Sequence, residues 1–306
     1  MESKGVDRVA IIGAGMMGRR VAWACLAHGQ TVHLMSRKTE TLDQARKDIA
    51  RWLESRTPAA DNVNDALRRL TISTNLDLAI QSVDLIYENV DENVELKSRI
   101  HQELGRKAVG DILIGSNTAS IPCEILAQAS GRPERFFNMN CDEPLELSFV
   151  EIMGALPVEN RMMSQTLDRA EMWARSIGQV PIRLNSDSQG YAFNRTWRAI
   201  KREFLHLADQ GVCSHEDLDR MFMMSFQTNA GPFGMMDHVG LANILNVEQQ
   251  YYDFSQDEKD KPPQMLKDLV SAGHLGVTTG QGFYHYPNPA YKEPGWVRQN
   301  RGMTDD

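Results

Sequence analysis

The stretch VAIIGAGMMGRRVAWACLAHG, residues 9–29, changes character twice. Its first four residues are apolar and mostly β-branched or small, as in a strand buried on both faces. From Met16 the composition turns to helix formers and stops at Gly29, so the spacing predicts a strand, a tight turn and a helix. The turn is Gly13-Ala14-Gly15-Met16-Met17-Gly18, a G-x-G-x-x-G spacing. Glycine triplets also occur in turns that bind nothing. This one leaves a strand and opens a helix, and there each glycine has a separate task. Gly13 permits the turn, Gly15 lets the backbone approach a pyrophosphate and Gly18 allows close helix–sheet packing, which makes residues 13–18 a dinucleotide site.

The same alternation continues outward. TVHLMS (31–36), VDLIYENV (83–90) and DILIGSN (111–117) read as buried strands, with helices expected over TETLDQARKDIARWLES (39–55) and VELKSRIHQEL (94–104). Strands alternating with helices imply a doubly wound parallel sheet covered on both faces, an α/β fold. From Gln189 the pattern becomes helical, as in YAFNRTWRAIKREFLHLADQG (191–211), where the spacing puts Tyr191 and Asn194 on one helix face. The polar, turn-rich LNSDSQG (184–190) separates the two patterns, so a nucleotide-binding domain is expected over residues 1–186 and an all-helical domain over 187–306.

Composition narrows the function. A formal net charge of −8 argues against nucleic acid as a partner, which needs a concentrated basic face. No apolar run reaches the length of a membrane span, and the N-terminus lacks a charged segment followed by a long apolar one, so a cytoplasmic protein with no membrane partner is expected. Cys25, Cys123, Cys141 and Cys213 form no CxxC pair, and no metal site is expected.

The end of the second strand selects the cofactor. An NAD site commonly places Asp or Glu there, against the ribose 2′-hydroxyl. Here Ser36 is followed by Arg37 and Lys38, offering cations to a 2′-phosphate and no carboxylate to repel it, so NADP(H) is expected.

Five stretches, VAIIGAGMMG (9–18), DLIYENVDENVELK (84–97), ILIGSNTASIP (112–122), GPFGMMDHVGL (231–241) and LGVTTGQGFYHYPNPAY (275–291), together resemble the 3-hydroxyacyl-CoA dehydrogenase family over nearly the whole chain. The resemblance implies an N-terminal Rossmann-like domain, a C-terminal helical domain that forms a homodimer, and hydride transfer between a nicotinamide and a carbonyl or hydroxyl carbon of a small-molecule substrate. It also implies that Glu92, Lys97 and the Ser116–Asn117 strand end help hold the cofactor.

The departures from the family pattern are as informative. Where the family carries an acid–base His, alignment on Arg135, Phe136 and Pro144 places Asn140, while Glu151 stands for the carboxylate that orients that His. Ala119 replaces a substrate-contacting Ser, Thr278 replaces a Lys, and Asn194 keeps the place of a family Asn. An amide cannot take a proton from an alcohol at neutral pH. A cyclic imine already protonated to its iminium needs no such base, and its charge suits the His-free acidic segment that contains Asp142, Glu143 and Glu146. Asp142 is the first candidate to pair with it, with Asn140, Asn194 and Glu151 as positioning groups. Reduction of C=N by NADPH is therefore one expectation. An NADP(H)-dependent 3-hydroxyacyl-CoA or 3-hydroxyacid dehydrogenase with a rearranged acid–base site is the alternative, and a non-catalytic NADP(H)-sensing protein is a third.

Overall fold

The computed structural model describes residues 5–56, 63–141 and 149–298. The chain divides into two compact units, Met1–Ala192 and Phe193–Asp306.

The first unit is an eight-stranded sheet built from β1 (Arg8–Ile12), β2 (Thr31–Met35), β3 (Leu70–Ser73), β4 (Leu85–Glu88), β5 (Leu113–Ser116), β6 (Phe136–Asn140), β7 (Phe149–Gly154) and β8 (Val180–Arg183). The order is β3-β2-β1-β4-β5-β6-β7-β8. β1 to β6 are parallel, β7 turns antiparallel to β6, and β8 is parallel to β7. The sheet is thus parallel except at the β6–β7 pair. The helices are α1 (Met16–Ala27), α2 (Thr39–Arg56), α3 (Val63–Arg68), α4 (Leu76–Ala79), α5 (Val94–Lys107), α6 (Cys123–Ser130) and α7 (Arg161–Ser176).

Strand side chains alternate between faces, and both faces are buried. Ile11, Tyr87 and Phe137 pack with Val21, Leu26 and Trp173 from α1 and α7. Ala10, Ile86, Ile114 and Phe136 pack with Leu104 and Leu126 from α5 and α6. α1 ends where His28 Nδ1 bonds the Ala24 carbonyl at 2.8 Å, and Gly29, at φ +86°, reverses the chain into β2. The strand order reverses between β1 and β4, and in such sheets ligands bind in the crevice beyond the C-terminal strand ends.

The second unit is helical: α8 (Ala192–Asp209), α9 (His215–Phe226), α10 (Pro232–Val239), α11 (Leu241–Ser255) and α12 (Gln264–Ser271), with short 3-10 turns. Its core gathers Leu205, Leu218, Phe233, Met236, Leu266 and Tyr284. Two buried carboxylates fasten it. Asp219 accepts from Phe233 N, Gly234 N and Tyr284 Oη at 2.9–3.0 Å, capping α10. Asp237, on α10, accepts from Phe283 N, Tyr284 N and Tyr286 Oη at 2.9–3.0 Å. The stretches GPFGMMDHVGL and LGVTTGQGFYHYPNPAY are therefore partners in packing.

Tyr191 is not on the helix face expected for it. It precedes α8 at φ +55° and is fully buried, with its hydroxyl donating to the Thr118 carbonyl at 2.8 Å. Gly190 before it, at φ +77°, keeps the chain out of helical geometry until Ala192. No helix among the described residues is long and apolar enough to cross a membrane.

Candidate active site

The glycine turn has the geometry its spacing predicts. Gly13 sits at φ +108°, and a Cβ on it would lie 2.6 Å from the Asn89 carbonyl oxygen. A Cβ on Gly18 would lie 1.9 Å from the Gly13 carbonyl oxygen, so α1 could not rest on the turn. Gly15 differs, since a Cβ there would meet nothing within 4 Å. The space it leaves open lies at the start of α1, where Gly15 is the N-cap without a side-chain cap and the first turn has no acidic residue. Unpaired N–H groups, the positive end of a helix dipole and open space fit the pyrophosphate of a dinucleotide. Met16 stands exposed beside this space, and Met17 packs into the core under it.

Gly13 N donates to the Met35 carbonyl at 2.9 Å, which holds the turn against the end of β2. Ser36 follows at once, half-buried, with its N–H on the Ser73 carbonyl. Arg37 and Lys38 are exposed and pair with no carboxylate among the described residues.

Glu92, Lys97 and Asn117 lie together, and each also bonds to protein groups around it. Lys97 Nζ is fully buried, 2.8 and 3.0 Å from the Glu88 carboxylate oxygens and 2.8 Å from the Asn117 carbonyl. Glu92 Oε1 accepts from Thr118 Oγ1, Ala119 N, Ser120 N and Ser120 Oγ at 2.6–3.1 Å, pinning the loop after β5. Glu92 and Lys97 shape the loops of the crevice.

Glu88 and His101 belong to this cluster and were not expected. Glu88, at the C-terminal end of β4 and wholly buried, also accepts from Ser116 Oγ at 2.7 Å and His101 Nε2 at 3.1 Å. Burial pushes its carboxyl up, but the bonds and charges of His101 and Lys97 outweigh that and hold it below the usual carboxylate value. The signal was a carboxylate ending an apolar strand, followed on α5 by a Lys and a His one helical turn apart.

At the end of β6, Asn140 pairs directly with Glu151 of antiparallel β7, so the two side chains share a sheet face. Both are buried, at 8% and 4% exposure, and Glu151 Oε1 accepts the Ala192 N–H at 2.8 Å. Strand register thus sets positions 140 and 151 side by side. Asp142, Glu143 and Glu146 lie outside the described residues. Asn194 is half-buried in the first turn of α8, in the second unit. His238 Nδ1 bonds the Gly234 carbonyl of its own helix at 2.8 Å. No group of three or more potential metal ligands occurs among the described residues.

A Rossmann-type sheet with a dinucleotide turn, joined to a helical unit, defines a nicotinamide-dependent oxidoreductase. The chain belongs to the 3-hydroxyacyl-CoA dehydrogenase family: residues 8–188 match its NAD-binding domain and residues 190–286 its C-terminal domain. A probable 3-hydroxybutyryl-CoA dehydrogenase of Deinococcus radiodurans is 29% identical over 284 residues, covering 91% of this chain and all of that one. The mitochondrial hydroxyacyl-coenzyme A dehydrogenase of Sus scrofa is 29% identical over 293 residues, covering 92% and 91%. Among solved structures, the (S)-3-hydroxybutyryl-CoA dehydrogenase of Ralstonia eutropha superposes with a TM-score of 0.81 at 27% identity, covering 93% and 100%. A diketoreductase described as acting on dicarbonyl compounds gives 0.81 at 25%, covering 92% and 100%.

Proposed function

We propose that the protein moves a hydride between NADP(H) and the oxygen-bearing C3 carbon of a 3-oxo or 3-hydroxyacyl compound, through an acid–base arrangement without imidazole. The match of both family domains along the chain carries this reading, and it favours carbonyl over imine chemistry. Ser36 with exposed Arg37 and Lys38, which pair with no carboxylate among the described residues, supports the phosphorylated cofactor.

The bound dinucleotide supplies or takes the hydride. The chain's own residues bind and orient. Glycines 13, 15 and 18 with the start of α1 receive the pyrophosphate. The Asn140 amide can donate to a substrate oxygen as charge develops on it, but it moves no proton. The proton must come from another acid, for which Glu151 across the strand pair and Asp142 are the candidates. Exposed Met221, Met224 and Phe226 on α9 support a homodimer through the second unit.

One observation favours a second reading, reduction of a cyclic iminium: an amide and a buried carboxylate face each other where an imidazole would serve a ketone. The two readings separate in one assay, the initial rate of NADPH oxidation with acetoacetyl-CoA against a dihydroisoquinoline. Turnover of the thioester supports the first. Imine turnover with a silent thioester overturns it in favour of the second.

A further inference from the structure

Asn89 and Asn117 stand in series between the glycine turn and the end of β6. The main chain of Asn89 is the surface on which the turn rests, since the close approach at Gly13 is to its carbonyl and a Cβ on Gly18 would come within 3.5 Å of its Cβ. Its N–H holds the Ile12 carbonyl at 2.7 Å. Its Nδ2 donates to the Tyr87 carbonyl at 3.2 Å, so its Oδ1 is left to accept, and Asn117 Nδ2 donates to that oxygen at 3.0 Å. Asn117 Oδ1 then accepts the Cys141 N–H at 3.1 Å. A carbonyl only accepts and an N–H only donates, so both amide orientations are determined by the network.

The Asn117 main chain is held as firmly. Its N–H donates to the Glu88 carbonyl at 2.7 Å, and its carbonyl receives Lys97 Nζ at 2.8 Å. One residue thus ties the ends of β4 and β6 to α5.

We propose that Asn89 and Asn117 are a positioning pair that sets the end of β6, and with it Asn140, at a fixed place relative to the cofactor turn. The proposal rests on the reading of that strand end as the hydride-transfer site. A displacement of about 1 Å at a reacting centre costs on the order of a hundredfold in rate, so loosening either link should be read in turnover more than in binding.

The test uses full-length protein labelled with 15N-cysteine, so that the Cys141 amide is one of few signals, and the variants Asn89→Ala, Asn117→Ala and the double variant. In the unsubstituted protein the Cys141 signal should move on addition of NADPH. In each variant that response should be lost even at NADPH concentrations that saturate the variant, with kcat at saturation lower by roughly ten- to a hundredfold. The double variant should be no slower than the slower single one. Asn117→Asp separates the links: it still accepts from Cys141, so that amide should stay protected from exchange, but it cannot donate to Asn89, so the response to NADPH should vanish. The pair is not a positioning device if the Cys141 signal ignores NADPH, if the variants lower Tm with kcat intact, or if the two losses multiply. Should the protein turn over neither carbonyl nor imine while the Cys141 response behaves as described, the functional reading fails and the pair stands.

Discussion

Three Gly→Ala substitutions in one turn should separate folding from cofactor binding. At Gly15 the backbone sits at φ −67° and ψ −171°, which any residue can adopt, and a methyl group there meets no protein atom within 4 Å. Gly15→Ala should therefore leave the cofactor-free protein as stable as before, or more so by about 0.4–1 kcal/mol from the stiffer unfolded chain. Its methyl group would occupy the approach of the pyrophosphate to the helix N-terminus. Losing one charge-assisted hydrogen bond there costs about 1.5–3 kcal/mol, roughly ten- to a hundredfold in Kd.

Gly13→Ala places a side chain at φ +108°, against a carbonyl oxygen 2.6 Å away. The backbone strain alone costs about 1–3 kcal/mol, several degrees in Tm. Gly18→Ala meets the Gly13 carbonyl at 1.9 Å, a main-chain atom that cannot rotate aside, so α1 must lift. The assay is a thermal melt without cofactor beside a fluorescence titration with NADPH. The expected order of Tm is Gly15→Ala at or above the unsubstituted protein, then Gly13→Ala, then Gly18→Ala, with Gly15→Ala binding NADPH weakly despite its stability. A melt for Gly15→Ala as low as that for Gly18→Ala, or an unchanged Kd, would refute the reasoning.

Replacing Arg37 and Lys38 by Ala with Ser36→Asp should reverse the cofactor preference from NADPH to NADH, read as the ratio of kcat/KM values; an unchanged ratio would remove these residues from 2′-phosphate recognition. Asn140→His should raise acetoacetyl-CoA reduction at pH 7 by tenfold or more, toward the ~10²–10⁴ that general acid–base catalysis contributes, and no gain would mean that the geometry around Glu151 no longer suits an imidazole. Glu88→Gln leaves Lys97 buried opposite a neutral amide and should cost about 3–5 kcal/mol in urea unfolding; a loss under 1 kcal/mol would show the cluster to be solvated. Burial, against bonds from Phe233 N, Gly234 N and Tyr284, raises the Asp219 carboxyl from 3.8 to about 6. The folded state then binds the extra proton, so this contribution is fully present below pH 3.8 and about 3 kcal/mol is lost as pH rises to about 6, a slope that Asp219→Asn should abolish in pH-dependent denaturation.

The parts of this molecule that were legible in its sequence obey local rules. The turn at 13–18 is one, because backbone conformation and close approach act on single residues, and the structure meets those demands at Gly13 and Gly18. The strands around 9–12 and 85–88 are another, since burial on both faces writes itself as near-continuous apolar runs, while at 31–35 buried Val32 and Leu34 alternate with half-buried neighbours. What was not legible depends on contacts between distant segments. Lys97 reads as a cation near a cofactor site, but its ion pair with Glu88 at 2.8 Å could not be read from the spacing, nor could the place of the Asn117 amide between Asn89 and Cys141. Tyr191 fits a helix by periodicity, and its bond to Thr118, 73 positions earlier, overrides that local preference. The antiparallel entry of β7 is also non-local, and it is what brings Glu151 opposite Asn140. In this fold, spacing along the chain announces the cofactor turn. Asn89, Asn117 and Cys141, which link that turn to the end of β6, are joined only across the sheet, so no spacing along the chain announces them.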